Sequence, residues 1–179
     1  ETSLGFLDRF LACCEAYNIP VLILFNKIDL LNFEEVELVE ELQAMYENLG
    51  YQTLQVSSAE KLNLDKLQEI LKDKTCVFFG HSGAGKSTLA NALHPDLNLK
   101  TNEISETHNK GKHTTTFAQM HFWHFGGAVI DTPGVREFAM IDVEKEEIQH
   151  YFPEIFEKGR ECKFHNCKHI NEPKCAVLE

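Results

Sequence analysis

Residues 80–88 read Gly-His-Ser-Gly-Ala-Gly-Lys-Ser-Thr. A glycine, four residues and then Gly-Lys-Ser is the spacing of a phosphate-binding loop. The apolar run Thr75-Cys76-Val77-Phe78-Phe79 before it reads as a buried strand, and Thr88 to Leu93 after it as the first turns of a helix. Strand, loop, helix is the context the motif needs. The glycines let the backbone curl until successive N–H groups face phosphate oxygens, and the helix N-terminus adds partial positive charge. Gly80, His81, Ser82, Gly83, Ala84, Gly85, Lys86, Ser87 and Thr88 are the candidate phosphate contacts. Lys86 would reach the β- and γ-phosphates, and Ser87 would ligate Mg²⁺.

Upstream, the apolar run Val21–Phe25 reads as a strand buried on both faces and leads into Asn26-Lys27-Ile28-Asp29. That tetrapeptide after a strand is the guanine-recognition motif. Guanine offers two adjacent donors, and the Asp29 carboxylate can accept both. Adenine would leave the carboxylate unpaired. Asn26 would bond the N7 side and tie neighbouring loops together, and the Lys27 stem would lie over the base. Next, Phe33, Val36, Val39, Leu42, Met45 and Leu49 mark one face of a long helix whose other face is acidic, with Gly50 as its stop. Tyr51–Val56 reads as a strand ending at Ser57-Ser58-Ala59, where Ser58 and Ala59 match the second base-contacting loop. Asn63 is placed to cap a short helix bearing Leu64, Leu67, Ile70 and Leu71.

Downstream, Asp96 to His113 is polar and aperiodic, either a switch loop or a plain linker. It closes with Gly111-Lys112-His113-Thr114-Thr115-Thr116, where a threonine can complete the Mg²⁺ shell; Thr115 is the candidate. Phe117–Phe125 reads as a strand with His121 and His124 on its surface, Gly126-Gly127 as a hairpin turn, and Ala128–Ile130 as the next strand. Asp131-Thr132-Pro133-Gly134 follows. Asp131 would hold Mg²⁺, and the Gly134 N–H would meet the γ-phosphate. Val135 stands where Ras-like enzymes carry the glutamine that orients the attacking water.

From Ile141 to Phe156 a helix is expected, broken at Pro153. Then come Cys162, four residues, Cys167, one residue, His169, five residues and Cys175. Three thiolates and one imidazole suit a closed, structural Zn²⁺ site. His165 is the rival imidazole, ranked below His169. Cys13, Cys14 and Cys76 lie in apolar surroundings and read as buried thiols, so the cysteine pattern points to a reducing cytoplasm rather than a disulfide framework. At the start of the chain, Phe6, Leu7, Phe10, Leu11 and Cys14 mark an amphipathic helix that ends by Asn18 and Pro20.

The 179 residues carry a formal net charge of −11, which argues against broad electrostatic binding of nucleic acid by this piece. No apolar run reaches the length of a membrane-spanning helix. The absence of an initial methionine is expected to mark a fragment. The chain divides in this reading into a nucleotide-binding domain over 1–140 and a truncated zinc-binding domain over 141–179.

In most GTPases the phosphate loop comes first and the base-recognition loops last. Here Asn-Lys-Ile-Asp and Ser-Ser-Ala come first, so the order is rotated. A circular permutation can preserve the site, because the ends of a compact domain lie close together. The rotated order, with Gly-His-Ser-Gly-Ala-Gly-Lys-Ser, Gly-Lys-His-Thr-Thr-Thr, Asp-Thr-Pro-Gly-Val-Arg-Glu-Phe and the Cys/His set, resembles the circularly permuted RsgA (YjeQ) GTPase family over Val21 to Cys175. The resemblance implies an α/β P-loop GTPase domain with a small, mainly helical zinc-binding domain. It implies hydrolysis of GTP to GDP and phosphate in late maturation of the 30S subunit, stimulated by that subunit. It also implies rRNA contact through the zinc domain and an N-terminal OB-fold domain absent here. GTP or GDP, Mg²⁺ and one Zn²⁺ are the implied cofactors. The protein would be a monomer in the cytoplasm. His113 matches the residue proposed in the family to replace the missing glutamine, so His113, Thr115 and Lys86 are the catalytic candidates. Lys112 and Ala84 stand where the family usually has Arg and Val. A GTP-sensing module with negligible hydrolysis is the competing reading, favoured by Val135. An ATP-dependent phosphotransferase is a third, opposed by Asp29.

Overall fold

The computed structural model describes residues 3–94, 97, 118–131, 144 and 146–179. The described elements run α1 (Leu4–Ala16), β1 (Leu22–Asn26), a 3-10 turn (Ile28–Leu30), α2 (Phe33–Asn48), β2 (Gln52–Val56), α3 (Leu64–Leu71), β3 (Thr75–Val77), α4 (Lys86–Leu93), β4 (Gln119–Phe122), β5 (Ala128–Asp131), a second 3-10 turn (Ile148–Tyr151) and α5 (Pro153–Gly159). The expected α/β alternation is therefore present. Among the described residues, β1 pairs with β2, and β3, β5 and β4 form a second sheet in that order.

In the second sheet β3 runs parallel to β5, with Thr75 opposite Ala128 and Val77 opposite Ile130. β4 runs antiparallel to β5, with Phe122 opposite Ala128. The glycine pair makes the hairpin between them: the Gly127 carbonyl accepts from the Trp123 N–H at 3.0 Å, and the Gly126 N–H donates to the Trp123 carbonyl at 3.2 Å. Gly127 has φ +82°, and a Cβ there would collide with the backbone of Lys74. Only glycine meets both conditions. Just past β4, Trp123 is 4% exposed and stacks on Phe125 with ring centroids 5.4 Å apart.

The chain separates into two compact units. The first takes residues 23–44 and the described part of 53–136. Its core is Val56, Leu64, Leu67 and Leu71 of the β2–α3 segment, Leu89, Ala90 and Leu93 of α4, and Trp123, Ala128 and Val129 of the hairpin. Each fully buried leucine contributes roughly 1.5–3 kcal/mol of transfer free energy. The second unit joins residues 3–22 and 45–52 to the described part of 137–179. In it, α1 buries Leu11, Ala12, Cys13 and Cys14, and packs against the 3-10 turn Ile148–Tyr151. The Tyr46 hydroxyl, on a residue 1% exposed, donates to Asp8 Oδ1 at 3.1 Å.

Several elements differ from the sequence expectation. Val21–Phe25 is not buried on both faces, since Ile23 is buried and its neighbours are half-buried, and the strand expected over Thr75–Phe79 is shorter, Thr75–Val77, with Val77 47% exposed. Each of the two strands pairs on one side alone among the described residues. Within α2, Val36, Val39 and Leu42 are half-buried as expected, but Phe33 is 77% exposed and Met45 41%, and Gln43 and Tyr46 turn inward with them. Phe33 opens the helix beside its cap. The Asn32 carboxamide oxygen accepts from the Glu35 N–H at 3.0 Å, and Glu35 Oε2 accepts from the Asn32 N–H at 2.9 Å. That is a reciprocal capping box, readable from Asn-x-x-Glu. Asn63 precedes α3 as expected but has φ +57° and makes no side-chain cap. Its amide donates to the Gln55 carbonyl at 2.9 Å instead. His124 is exposed as expected, whereas His121 is half-buried. Pro153 does not break a helix; it starts α5, where its missing N–H costs nothing.

Candidate functional site

The phosphate loop leaves β3 and enters α4 at Lys86, with Gly85 as the N-cap at φ +92°. Two bonds brace the turn: the Ala84 N–H donates to the His81 carbonyl at 3.2 Å, and the Leu89 N–H donates to the Gly85 carbonyl at 2.8 Å. Lys86 folds back across the loop. Its ammonium donates to the carbonyls of Gly80 at 2.6 Å and His81 at 2.8 Å. These bonds hold the charge over the loop, and burial draws the Lys86 ammonium below the usual lysine value. Ser87 lies in the first turn of α4. The first N–H groups of a helix lack intrahelical acceptors, so this end supplies donors for an anion.

Asn26 ends β1. Its amide donates to the Ala84 carbonyl at 3.0 Å, within the phosphate loop. Its oxygen accepts from the Ser58 N–H at 3.2 Å and from the Ser58 hydroxyl at 2.9 Å. Three segments distant in sequence thus meet at one carboxamide. Lys27 follows in the left-handed conformation, φ +68°, which turns the chain into the short helix carrying Asp29. Asp29, Lys27 and Ala59 are exposed, while Ser58 is buried. A Cβ at Gly85 would collide with the Asn26 amide and would sit 3.7 Å from Lys27 Cε. Gly85 is therefore fixed by the close approach of the Asn-Lys segment as well as by its own backbone angle. The sequence reading placed Gly85 among the phosphate contacts without finding this second role.

Ser57 supports the second base-side loop. Fully buried, its hydroxyl accepts from the Glu60 N–H at 3.0 Å, and its backbone bridges to Leu62. His113, Thr115 and Gly134, together with the segment from Asp96 to His113 apart from Leu97, lie outside the described residues. Asp131 closes β5, and its side chain lies outside them too.

In the second unit, Cys162, Cys167, His169 and Cys175 converge after α5, their ligand atoms all within 4.8 Å of one another. His169 Nδ1 stands 3.7 Å from Cys162 Sγ and 3.3 Å from Cys175 Sγ, and the two sulfurs are 4.0 Å apart. A tetrahedron with Zn–S of about 2.3 Å and Zn–N of about 2.0–2.1 Å has edges of about 3.8 and 3.5 Å. The donor set and the spacings both fit Zn²⁺. His165 is exposed and stands outside the group, so His169 is the imidazole that converges. Gly159 makes room for it: a Cβ there would lie 3.3 Å from His169 Nε2. Nothing in the local sequence marks Gly159 for this. Burial pushes the Cys167 thiol up to about 11. For Cys175 burial acts the same way, but the His169 contact and the Leu178 and Val177 N–H groups outweigh it and bring the thiol to about 7. A bound dication would ionise all three thiols.

A phosphate loop joined through one asparagine to two base-side loops that precede it in the chain defines a P-loop GTPase domain with circularly permuted motifs. The chain belongs to the RsgA GTPase family, whose model matches residues 1–141. It is 51% identical over 180 residues to a small ribosomal subunit biogenesis GTPase RsgA of Flavobacterium psychrophilum, covering 99% of this chain and 55% of that one. Against the protein of the same name from Christiangramia forsetii it is 49% identical, covering 97% and 55%. Among solved structures, YjeQ from Thermotoga maritima superposes with a TM-score of 0.83 at 36% identity, over 99% of this chain and 58% of that one. YloQ, described as a circularly permuted GTPase, gives 0.74 at 35% identity, over 98% and 55%. The chain thus spans a little over half the length of these relatives.

Proposed function

We propose that this chain is the nucleotide-binding and metal-bearing part of a GTPase that converts GTP to GDP and phosphate during maturation of the small ribosomal subunit. The observation that carries the reading is the Asn26 junction, which sets the Asn-Lys-Ile-Asp turn and Ser58 beside the phosphate loop. The relatives' names supply the ribosomal setting. In this reading the nucleotide-binding part lies within residues 1–140 and the zinc-binding part within 141–179, with residues 3–22 and 45–52 clustering with the latter. Among the described residues, no helix is long and apolar enough to cross a membrane. We assign the protein to the cytoplasm, as a monomer that docks on the 30S subunit and its rRNA.

The residues take these roles. Asp29 accepts the two guanine donors, while Asn26 and the Ser58–Ala59 backbone line the other edge of the base. Residues 80–88 wrap the phosphates, with Lys86 on the β- and γ-oxygens. Ser87, Thr115 and Asp131 would hold Mg²⁺, which when bound neutralises charge on the phosphates. Cys162, Cys167, His169 and Cys175 would hold a structural Zn²⁺. Val135 cannot orient water, so His113 is the candidate, brought into place by the small subunit.

Competition of GTP, GDP and ATP for the purified protein tests the base assignment, and equal displacement by ATP would sink it. Phosphate release over several turnovers, with and without small subunits, tests the reaction. Negligible release in both arms would leave a GTP-sensing module, the reading Val135 favours.

A further inference from the structure

His169 sits in a turn conformation that is uncommon for a residue with a Cβ. Its φ is +57°, in the left-handed region. The His169 N–H meets the Cys167 sulfur, and the peptide groups on either side of it are held by one carboxylate. Glu172 Oε1 accepts from the Lys168 N–H at 2.9 Å. Glu172 Oε2 accepts from the Ile170 N–H at 2.9 Å and from the Asn171 N–H at 3.1 Å. The two 2.9 Å bonds fall on the residues immediately before and after His169. The carboxylate therefore clamps the turn on both sides of the imidazole.

We propose that Glu172 is a positioning residue for the metal site, holding the left-handed turn that aims His169 Nδ1 at the three sulfurs. The inference rests on the zinc reading above. The chemistry is specific to a carboxylate. Two ionised oxygens receive three N–H groups, with no donor of their own to oppose them. Glutamine would keep one acceptor and turn an NH₂ toward the other N–H groups. The imidazole would then lose its fixed direction, while Cys162 and Cys175 would keep supports outside the turn, the latter from the Leu178 and Val177 N–H groups. Cys162 is held separately, by the Ala176 N–H at 3.3 Å, and Cys167 and Cys175 are buried. Outer-shell groups of this kind are worth about 10–100-fold in metal affinity.

The test compares the intact parent protein, Glu172→Gln and, as a control, Glu161→Gln, whose carboxylate bonds the exposed Lys158. Each is stripped of metal and titrated with Co²⁺ and then Zn²⁺ against a chromogenic chelator. For Glu172→Gln the expected result is metal binding weakened about 10–100-fold. Its thiolate-to-cobalt charge-transfer band per bound ion should be retained, while the visible d–d bands are altered by loss of the imidazole. Glu161→Gln should match the parent. If Glu172→Gln matches the parent in affinity and spectrum, the inference is overturned and the zinc site stands. If both bands fall in proportion, or if the variant takes up no cobalt because the segment has unfolded, the clamp is not specific to His169 and the inference is also overturned. A parent that binds neither ion overturns the zinc site and this inference together.

Discussion

Asn26→Ala is the sharpest probe of the rotated site. The substitution removes three hydrogen bonds, to the Ala84 carbonyl, the Ser58 N–H and the Ser58 hydroxyl. A typical intramolecular bond contributes a net of about 0.5–1.5 kcal/mol. Ser58 is 7% exposed, so its donors would be left with poor access to water, which costs more than simple loss of the bond. Asn26 itself is half-buried, and water entering the space it leaves offsets part of that. The expected cost is about 2–4 kcal/mol, and to the extent that these bonds hold the loops in binding geometry it reappears as weaker GDP binding, at most roughly thirty- to several-hundredfold. Ser58→Ala removes the hydroxyl bond alone, so its expected loss is about 1 kcal/mol, or roughly fivefold. In the double variant the hydroxyl bond has already gone, so the two losses should fall short of additivity by about 1 kcal/mol. Displacement of a fluorescent GDP analogue from the intact protein measures all three. Denaturant unfolding of each variant separates loss of the site from loss of the fold. If folded Asn26→Ala binds GDP within twofold of the parent, or if the two losses simply add, the junction does not organise the site.

Four further outcomes are expected. Asp29→Asn should weaken GTP by roughly 1.5–3 kcal/mol and relax discrimination against xanthine nucleotides; unchanged GTP affinity would reject the guanine assignment. Metal analysis of protein purified without chelator should find one zinc per chain, and chelation should unfold the C-terminal segment before the nucleotide domain, since structural zinc contributes on the order of 10 kcal/mol in small domains. If the small subunit stimulates hydrolysis through His113 as proposed, His113→Ala should lower the stimulated rate at least about tenfold while GTP affinity barely moves, because the proposed contact is to the transition state alone; intact stimulation would remove His113 from catalysis. On the alkaline side, burial and the Asp8 contact push Tyr46 up to about 12 in the folded protein. Its contribution to stability is complete below the ordinary tyrosine value near 10 and is lost as pH rises toward 12. The Tyr46 share of the phenolate absorbance, read as the difference from Tyr46→Phe, should therefore appear together with loss of near-ultraviolet circular dichroism, and its appearance near pH 10 in a still-folded protein would contradict the burial argument.

Much of the local geometry was legible because it depends on short spacings. The phosphate loop, the Asn-Lys-Ile-Asp turn and the Cys-x4-Cys-x-His-x5-Cys run are set by spacings of a few residues, and their residue types follow from what phosphate, guanine and zinc require. The hairpin at Gly126-Gly127, the stop at Gly50 and the apolar face of α3 were legible for the same reason. The capping box at Asn32 and Glu35 was also within reach of pattern, though it was not found there. What the tertiary structure alone decided is who meets whom. Asn26 bonds Ser58 across 32 residues and Ala84 across 58, and no periodicity encodes a partner at that range. The packing of α1 with the C-terminal 3-10 turn, the space Gly159 leaves for the His169 ring and the start of α5 at Pro153 are of the same kind. A sequence pattern fixes which face of an element is apolar and which side chains can bind. The neighbour against which that face is buried is settled by the balance of packing and chain entropy over the whole chain.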